Sequence, residues 1–356
     1  MAITYSPFYK ITDDITYKLL DGTFSDADLS ITKEKYISVI NNEFVGTQLI
    51  SANFPRCTSI GDGAFGNCTS LTNINFPVCT SIGDYAFNGC ASLTTASFPV
   101  CTNIGSSAFA YCSSLTTISF PKCTNIGSSA FAYCSSLTTI SFLAFPVCTS
   151  ISAGAFRSCT SLRTVSFSTC TSIGTYAFYN CTSLTTISFP KCTNIGGHAI
   201  SSCTSLSIAG FPVCTSIGTY AFCGCSSLTT ASFPVCTSIG TYAFCNCKSL
   251  TTANFPKCTT IGYEAFFGCS SLSIASFPVC TSIGEYAFSK CTKLKSIYFM
   301  GTSVPTLVNS NAFYSTPISN STYIGTYGSI YVKSSMLNAF KTATYWSTYS
   351  ARMVGA

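Results

Sequence analysis

The side chains with the most chemical potential in this sequence are its 24 cysteines. Most of them fall into two periodic series. In the first, a cysteine recurs every 22 residues, apart from one step of 25 between Cys123 and Cys148. The second series follows the first by 11 residues. The two series are Cys57, Cys79, Cys101, Cys123, Cys148, Cys170, Cys192, Cys214, Cys236, Cys258 and Cys280, then Cys68, Cys90, Cys112, Cys134, Cys159, Cys181, Cys203, Cys225, Cys247, Cys269 and Cys291.

This periodicity argues against a disulfide framework. If equivalent residues stack on neighbouring strands, their parallel Cβ atoms lie about 4.8 Å apart. A disulfide requires about 3.8 Å between the Cβ atoms. We therefore predict that these cysteines are buried free thiols, each acting as a small hydrophobic side chain with a weak S–H donor.

Cys223 and Cys245 stand outside both series, in the tripeptides CGC and CNC. They occupy the same repeat position one unit apart, close to Cys225 and Cys247. One interpretation is that the two cysteines reflect sequence drift, without a role, at a variable surface position. The other is a surface disulfide or a soft-metal site.

Few side chains in this sequence could act as a general acid or base. His198 is the only histidine, and the chain holds 11 acidic residues in total. A Ser–His–Asp arrangement or a general acid–base pair therefore has few candidate residues in this chain. We predict no catalytic residue, no metal site, no cofactor and no enzyme activity. Seven of the acidic residues cluster in 1–53 without EF-hand spacing, which indicates a polar cap: Asp13, Asp14, Asp21, Asp26, Asp28, Glu34 and Glu43.

The elements that must position these side chains are repeats of 22 residues. The unit is shown by Cys214 to Pro234, CTSIGTYAFCGCSSLTTASFP, and near-copies recur from Phe54 to Phe299. A fixed period in this range is typical of a solenoid, in which each unit packs on its neighbours. Apolar alternation at Ile74 and Phe76 predicts a short strand. The IGxxAF half of the unit has spacing that suits about one turn of helix.

We predict an α/β solenoid, a leucine-rich repeat array of about eleven 22-residue units. It has a parallel sheet on one face, short helical or irregular segments on the other, and caps at both ends. The boundaries are 1–53 for the N-terminal cap with a degenerate repeat, 54–300 for the solenoid, and 301–356 for a degenerate repeat and the C-terminal cap. The three-residue insertion around Leu143 to Phe145 is expected to bulge at a strand exit. Ser329 to Val332 indicates a final strand, and Ser334 a helix N-cap.

The units resemble those of the BspA-like leucine-rich repeat family, whose motif runs close to IGxxAFxxCxSLxxIxFP. The match extends from Phe54 to Phe299 and repeats eleven times. The resemblance implies a bacterial or protist surface protein, or a phage-associated one, whose role is binding and adhesion.

Composition narrows the classes of partner. Charged residues make up 8% of the chain, and the net charge is +6. Because no dense stripe of Lys and Arg exists, we predict no nucleic-acid binding.

No apolar run of 18 residues exists, which predicts no transmembrane helix. No secretory signal peptide is visible. The resemblance implies a cell-surface, extracellular or virion-associated location.

The outward strand positions form the predicted binding face, together with the basic residues that follow the proline. We expect a protein or glycan ligand there, with self-association as a further possibility. A tyrosine stripe including Tyr85, Tyr220 and Tyr286 marks the other side. The predicted function is a non-enzymatic recognition or adhesion scaffold; the alternative is a structural component of a phage tail or virion, or a self-associating surface fibre. The predicted binding residues are Thr117, Ser119, Lys122, Thr139, Ser141, Thr186, Ser188, Lys191, Thr230, Ser232 and Lys257.

Overall fold

The computed structural model describes residues 30–33, 37–140, 144–319 and 328–356, and it places the repeated units in a parallel β-solenoid. We call each 22-residue turn of this solenoid a coil. Each coil begins with a longer strand, usually of three residues. A first corner that contains a proline follows, such as Pro77 and Val78, and it leads into a strand of two residues. A second corner follows the glycine after that strand, as at Gly83 and Asp84, and turns complete the coil.

The longer strands pair in parallel with their equivalents in neighbouring coils, as Thr164 does with Thr186. In all of these strands but the last, the second residue packs in or against the core, and the residues next to it in the strand are exposed or half-buried, because side chains alternate along a strand. The longer strands are β1 (Ser30–Thr32), β3 (Ser51–Asn53), β5 (Asn73–Asn75), β7 (Thr95–Ser97), β9 (Thr117–Ser119), β11 (Thr139–Ile140), β13 (Thr164–Ser166), β15 (Thr186–Ser188), β17 (Ile208–Gly210), β19 (Thr230–Ser232), β21 (Thr252–Asn254), β23 (Ile274–Ser276), β25 (Ser296–Phe299), β27 (Ser329–Val332) and β28 (Met353–Gly355).

The two-residue strands form a second parallel sheet with a buried aliphatic residue at each second position. They are β2 (Ser38–Val39), β4 (Ser59–Ile60), β6 (Ser81–Ile82), β8 (Asn103–Ile104), β10 (Asn125–Ile126), β12 (Ser150–Ile151), β14 (Ser172–Ile173), β16 (Asn194–Ile195), β18 (Ser216–Ile217), β20 (Ser238–Ile239), β22 (Thr260–Ile261), β24 (Ser282–Ile283) and β26 (Thr306–Leu307).

The continuity of the two sheets differs. The two-residue strands β2 to β26 join into one 13-stranded sheet. The longer strands fall into four groups in the described part of the chain: β1-β3-β5, β7-β9, β11-β13-β15-β17, and β19-β21-β23-β25-β27-β28. The predicted solenoid is therefore confirmed, but it has more than the predicted eleven units. It also has a second sheet, which the sequence does not reveal because two residues are too few to show alternation.

The second half of each unit forms turns, so of the short helical or irregular segments expected there the structure shows the irregular form. Tyr85 and Gly89 have left-handed backbones, with φ of 58° and 73°. This conformation interrupts a helix. Alternate N–H groups instead donate to carbonyls of the next coil, as Tyr85 N does to Ser106 O (2.8 Å), Phe87 N to Ala108 O (2.7 Å) and Gly89 N to Ala110 O (2.8 Å). Backbone hydrogen bonds therefore join successive coils on this side as well.

Glycine recurs after the two-residue strand because successive coils approach closely there; between Gly61 and Gly284, Ser152 is the exception. A Cβ added at Gly105 would lie 2.4 Å from the carbonyl carbon of Gly83, well inside van der Waals contact. Gly83 is not among the glycines with positive φ, so relief of a strained backbone does not explain it. Close approach of the coils is thus the reason for glycine at this position.

Two interleaved columns of phenylalanine rings fill the core. Within one column, Phe65 and Phe87 stack with ring centroids 5.1 Å apart. Between columns, Phe65 and Phe76 meet edge-on at 5.9 Å. Both geometries are favourable for aromatic pairs and contribute about 0.5–1.5 kcal/mol each beyond buried area. Ile200, which is fully buried, takes the place of phenylalanine in one coil and interrupts its column.

The three-residue insertion is absorbed without loss of register. Residues 141–143 lie outside the described residues. Directly after them, Ala144 O accepts a hydrogen bond from Phe120 N at 2.9 Å, the bond that equivalent residues make in ordinary coils. Phe145 then stacks on Phe120 at 5.6 Å and continues the column. The coils before and after the insertion are therefore stacked in line.

The C-terminal segment covers the last coil with aromatic side chains. It contains a 3-10 helix (Ser334–Met336), α1 (Leu337–Thr342) and a second 3-10 helix (Trp346–Arg352). The Trp346 ring packs against Phe299 and Phe340, with centroids 5.4 and 5.1 Å away. Its Nε1 donates to Pro305 O at 2.6 Å. The Tyr349 hydroxyl donates to Ser310 O.

Two details of this cap differ from expectation. The Ser334 side chain does not cap the helix; its Oγ donates to Ala356 O at 3.3 Å. The strand β27 matches the predicted Ser329 to Val332, but it is not the last, because β28 pairs with it in parallel. A three-residue strand at the very end of a chain carries too little pattern for prediction.

Most of the predicted N-terminal cap lies outside the described residues. This holds for the acidic side chains Asp13, Asp14, Asp21, Asp26, Asp28 and Glu34. The described part begins with β1 and β2, which continue the two sheets toward the N-terminus.

Candidate functional site

The outward residues of the longer strands form regular polar columns. Register places Thr164 beside Thr186, and Ser166 beside Ser188. Of the predicted binding residues, Thr117, Thr139, Thr230 and Ser232 are exposed, whereas Ser119, Thr186 and Ser188 are half-buried. Ser141 lies outside the described residues. The predicted strand residues share one side of the coil, but their four strands belong to three groups: β9 to one, β11 and β15 to a second, and β19 to a third.

The predicted lysines lie beside this face, on the first corner. Each follows the corner proline and precedes the cysteine of the first series, so it occupies a turn between a longer and a shorter strand. We call this column of residues the corner ridge. Its members are Arg56, Val78, Val100, Lys122, Val147, Thr169, Lys191, Val213, Val235, Lys257 and Val279.

The corner ridge combines apolar and basic surface. Its valines are about two-fifths exposed, for example Val78 at 40% and Val147 at 42%. Arg56, Lys122, Lys191 and Lys257 are also exposed. Thr169 is half-buried, and its Oγ1 donates inward to Cys148 O at 2.7 Å. The ridge is therefore a mixed apolar and cationic edge that runs along the solenoid.

The acidic side chains of the described residues lie at the second corner or on the next two residues of the chain, at the other end of the two-residue strands. They are Glu43, Asp62, Asp84, Glu264 and Glu285. Two of them are engaged with the backbone of the next coil. Asp62 Oδ1 accepts from Asp84 N at 2.8 Å, and Asp84 Oδ1 accepts from Ser106 N at 2.6 Å. The acidic groups of the array therefore lie away from the four basic residues of the corner ridge.

An aromatic stack lies on the side of the solenoid formed by the turns of the IGxxAF half of each unit, which we call the turn side. The rings of Tyr176, His198, Tyr220 and Tyr242 lie nearly parallel, with successive centroids 4.5, 4.6 and 4.5 Å apart. The tyrosine stripe is expected from the sequence, but the place of His198 within it is not. The sequence does contain this information, because His198 occupies the position that tyrosine takes in other units. The ring faces cover one another, so the interior of the stack offers only ring edges to a ligand.

The environment of His198 suits packing better than catalysis. Burial lowers the pKa of His198 below its ordinary value of 6.5. Its two ring faces contact Tyr176 and Tyr220. An oriented base needs a hydrogen-bonded partner and an adjacent nucleophile, and no hydrogen bond to this imidazole is found among the described residues.

Arg157 lies in a tyrosine cluster at one end of the stack. Its guanidinium carbon is 5.8 Å from the ring centroids of Tyr133 and Tyr176, and 5.4 Å from that of Tyr179. These distances permit cation–π attraction. The sequence suggests only dispersed surface charge for Arg157. The three tyrosines come from two coils and three repeat positions, so no periodic pattern in the sequence reveals the cluster.

The periodic cysteines are buried, and each series has its own hydrogen-bond acceptor. In the first series, Cys79 Sγ donates to Ser81 O at 3.2 Å within its own coil. In the second, Cys112 Sγ donates to Phe87 O of the preceding coil at 3.2 Å. Burial raises the pKa of Cys79 and of Cys112 to about 12. A thiol of this kind is a poor nucleophile, because the thiolate is the reactive form.

Cys223 and Cys245 are joined by a disulfide between neighbouring coils. Of the two interpretations open from the sequence, drift and a bridge or metal site, the structure supports the bridge. Their Cα atoms are 4.6 Å apart, within the range that a disulfide spans. Among the described residues, no group of three His, Cys, Asp or Glu side chains is arranged to bind a metal ion.

Comparison with known proteins identifies relatives of this architecture. The family model described as "BspA type Leucine rich repeat region (6 copies)" matches residues 37–146, 149–272 and 215–340. No match was found among curated protein sequences. Within the described ranges, no helix is long and apolar enough to cross a membrane.

Two solved structures illustrate the similarity. A leucine-rich repeat protein from Bacteroides ovatus is 25% identical, with a TM-score of 0.51, over 81% of this chain and 94% of that one. A leucine-rich cell surface protein from Faecalibacterium prausnitzii is 28% identical, with a TM-score of 0.46, over 77% of this chain and 86% of that one.

Proposed function

Because the chain belongs to the BspA-type leucine-rich repeat family, we propose that it is a non-enzymatic recognition and adhesion scaffold. Repeat arrays of this family serve as scaffolds for interactions with other proteins. In this chain, the binding surface is the polar face of the longer strands together with the corner ridge, and the ligand is a protein or a glycan. The site of action is the cell surface or the extracellular space.

One observation carries the proposal: exposed side chains repeat in register along one side of a rigid array. Thr230 pairs with Thr252 and Ser232 with Asn254, so similar groups recur at each coil. Such a surface can contact an extended partner at many equivalent points, and multiple weak contacts add up to useful avidity. The buried thiols and the stacked His198 offer no competing chemistry.

A double substitution on the proposed surface tests it. Thr186→Arg places bulk and charge on the strand face, and Lys191→Glu reverses a charge on the corner ridge. Partners would be identified with the native protein on a glycan array and by pull-down of surface extracts. The variant should lose at least about tenfold in affinity for a partner verified by direct titration, equivalent to about 1.4 kcal/mol.

A matched control makes the same residue changes on the turn side. Thr204→Arg with Lys248→Glu alters two exposed residues with an identical change in net charge. The control should bind like the native chain. Full binding by the strand-face variant, or equal losses by both, would reject the strand face and ridge as the recognition surface. Circular dichroism melting of each protein establishes that it is folded.

A further inference from the structure

The basic residues of the corner ridge recur at every third coil. Arg56, Lys122, Lys191 and Lys257 are each separated from the next by two coils whose ridge residue is uncharged. The intervening pairs are Val78 and Val100, Val147 and Thr169, and Val213 and Val235. The insertion after Ile140 does not disturb this count, because Ala144 and Phe145 restore the register.

The spacing of these cations is held by the backbone ladder beside them. Two residues beyond each ridge residue, a threonine N–H donates to the equivalent carbonyl of the preceding coil, which belongs to a threonine except for Thr58, whose acceptor is Ile37 O. Examples are Thr215 N to Thr193 O and Thr237 N to Thr215 O, at 2.8 and 2.9 Å. Parallel strands lie about 4.8 Å apart, so neighbouring cations are separated by about 14 Å and the four span about 43 Å.

Three features indicate what could lie on this ridge. The acidic side chains of the described array are at or just after the second corner and none is on the ridge, so an anion meets no repulsion from the ridge itself. The valines between the cations expose apolar surface. The polar columns of β9, β15 and β19 flank the ridge along its length. A fitting ligand is linear, carries sparse negative charge, and has uncharged units with apolar C–H faces between its charges.

We propose that the corner ridge binds a linear acidic polysaccharide that lies along the long axis of the solenoid. Its anionic groups pair with Arg56, Lys122, Lys191 and Lys257, and its sugar rings lie on the valines between them. This inference rests on the proposed function and names a ligand class for the same surface. A nucleic acid is a poorer match, because its single strand carries a charge about every 3.4 Å, and the ridge has no aromatic platform for bases.

Hyaluronan oligosaccharides of graded length provide the test, since they carry one carboxylate per disaccharide. Binding would be measured by calorimetry at low salt, with neutral dextran and oligo(dT) of matched length as comparisons. Affinity should rise with hyaluronan length until the ligand spans the four cations, and fall with added salt as charges are screened. Dextran binding as tightly as hyaluronan, or oligo(dT) binding more tightly, would overturn the proposal.

Neutralising the lysines tests their contribution. A single exposed charge pair contributes little to affinity, so several must be removed together. Lys122→Gln, Lys191→Gln and Lys257→Gln together should therefore weaken long hyaluronan by about tenfold. Unchanged affinity in this triple variant would exclude the ridge as the polysaccharide site.

A charge-matched variant tests the spacing itself. Lys191→Val with Val213→Lys keeps composition and net charge, but moves one cation by a coil and breaks the three-coil period. Long hyaluronan should bind about fivefold more weakly to this variant, whereas fragments too short to reach two cations should bind equally to both proteins. Equal binding of long hyaluronan would show that spacing is not recognised and contradict the proposal.

The outcome separates this inference from the broader function. Suppose the native chain binds no acidic polysaccharide, yet a protein or neutral glycan partner is lost on Thr186→Arg with Lys191→Glu. The inference then fails, and the recognition scaffold stands. If partner binding also survives that double substitution, the proposed surface fails as well.

Discussion

At the scale of single residues, cysteine is used in this chain as a small apolar residue that donates a hydrogen bond. A fully buried Cys181 Sγ donates to Phe156 O of the preceding coil at 3.2 Å, and the second series repeats this contact along the array. Alanine would fill less space there and donate nothing. Serine would bury a hydroxyl, which costs more to desolvate than a thiol.

These buried thiols predict a steep loss of stability at alkaline pH. Burial raises the pKa of Cys101 and of Cys148 from 9.0 to about 11. Because the folded-state pKa is raised, stability is fully present below pH 9 and is lost as pH rises toward the folded values. Each such thiol contributes a slope of about 1.4 kcal/mol per pH unit in this window. We expect cooperative unfolding between pH 9 and 11, measured by circular dichroism.

A thiol count provides the control for that experiment. In denaturant without reductant, a colorimetric thiol reagent should detect 22 thiols, and 24 once the Cys223–Cys245 disulfide is reduced. The folded protein at pH 8 should react slowly. A native fold that persists unchanged at pH 11, or a count far below 22, would contradict the buried-thiol account.

At the scale of elements, the turn side shows how strain and packing are balanced. Tyr176, His198, Tyr220 and Tyr242 all have positive φ, between 53° and 58°. This conformation costs a residue other than glycine about 1–3 kcal/mol. Ring stacking contributes about 0.5–1.5 kcal/mol per pair, which offsets much of the cost. The left-handed residues in turn direct alternate N–H groups toward the next coil.

Two adjacent glycines distinguish close approach from simple flexibility. A Cβ at Gly196 would lie 2.8 Å from backbone atoms of the preceding coil, whereas at Gly197 the nearest atom is 3.3 Å away. Gly196→Ala should cost about 1–3 kcal/mol through overpacking. Gly197→Ala should change the free energy of unfolding by less than about 1 kcal/mol, since its φ is not positive. Urea denaturation of both variants checks this, and equal losses would refute the close-approach explanation.

How far the sequence predicts each element depends on how many residues carry its pattern. The longer strands are predictable, because alternation and a terminal proline mark them at Ile74 to Pro77. The two-residue strands are not, since Ser81 and Ile82 alone show no period. The apolar spacing leaves a short helix or an irregular segment open for the second half of the unit, and the left-handed backbone at Tyr85 selects the irregular form. Of the candidate site, residue types and columns are predictable; the Cys223–Cys245 bridge and the Arg157 cluster depend on contacts between coils.

At the scale of the whole molecule, register is the property on which function depends. Hydrogen bonds on all three sides of the coil keep equivalent residues in line, and the stack continues past the insertion through Phe145. Surface spacing is therefore a simple multiple of the coil rise. On the surface, this regularity places the four basic residues of the corner ridge at every third coil.

Distances between spin labels on the corner ridge test this central claim most directly. Labels would be attached through Arg56→Cys, Lys122→Cys and Lys257→Cys in two pairs, since the native cysteines are buried or bridged. Pulsed electron resonance should report about 29 Å for positions 122 and 257, six coils apart, and about 43 Å for positions 56 and 257, nine coils apart. Two distances that do not differ by about three coil rises, or a broad distribution across the insertion, would contradict a single in-register solenoid.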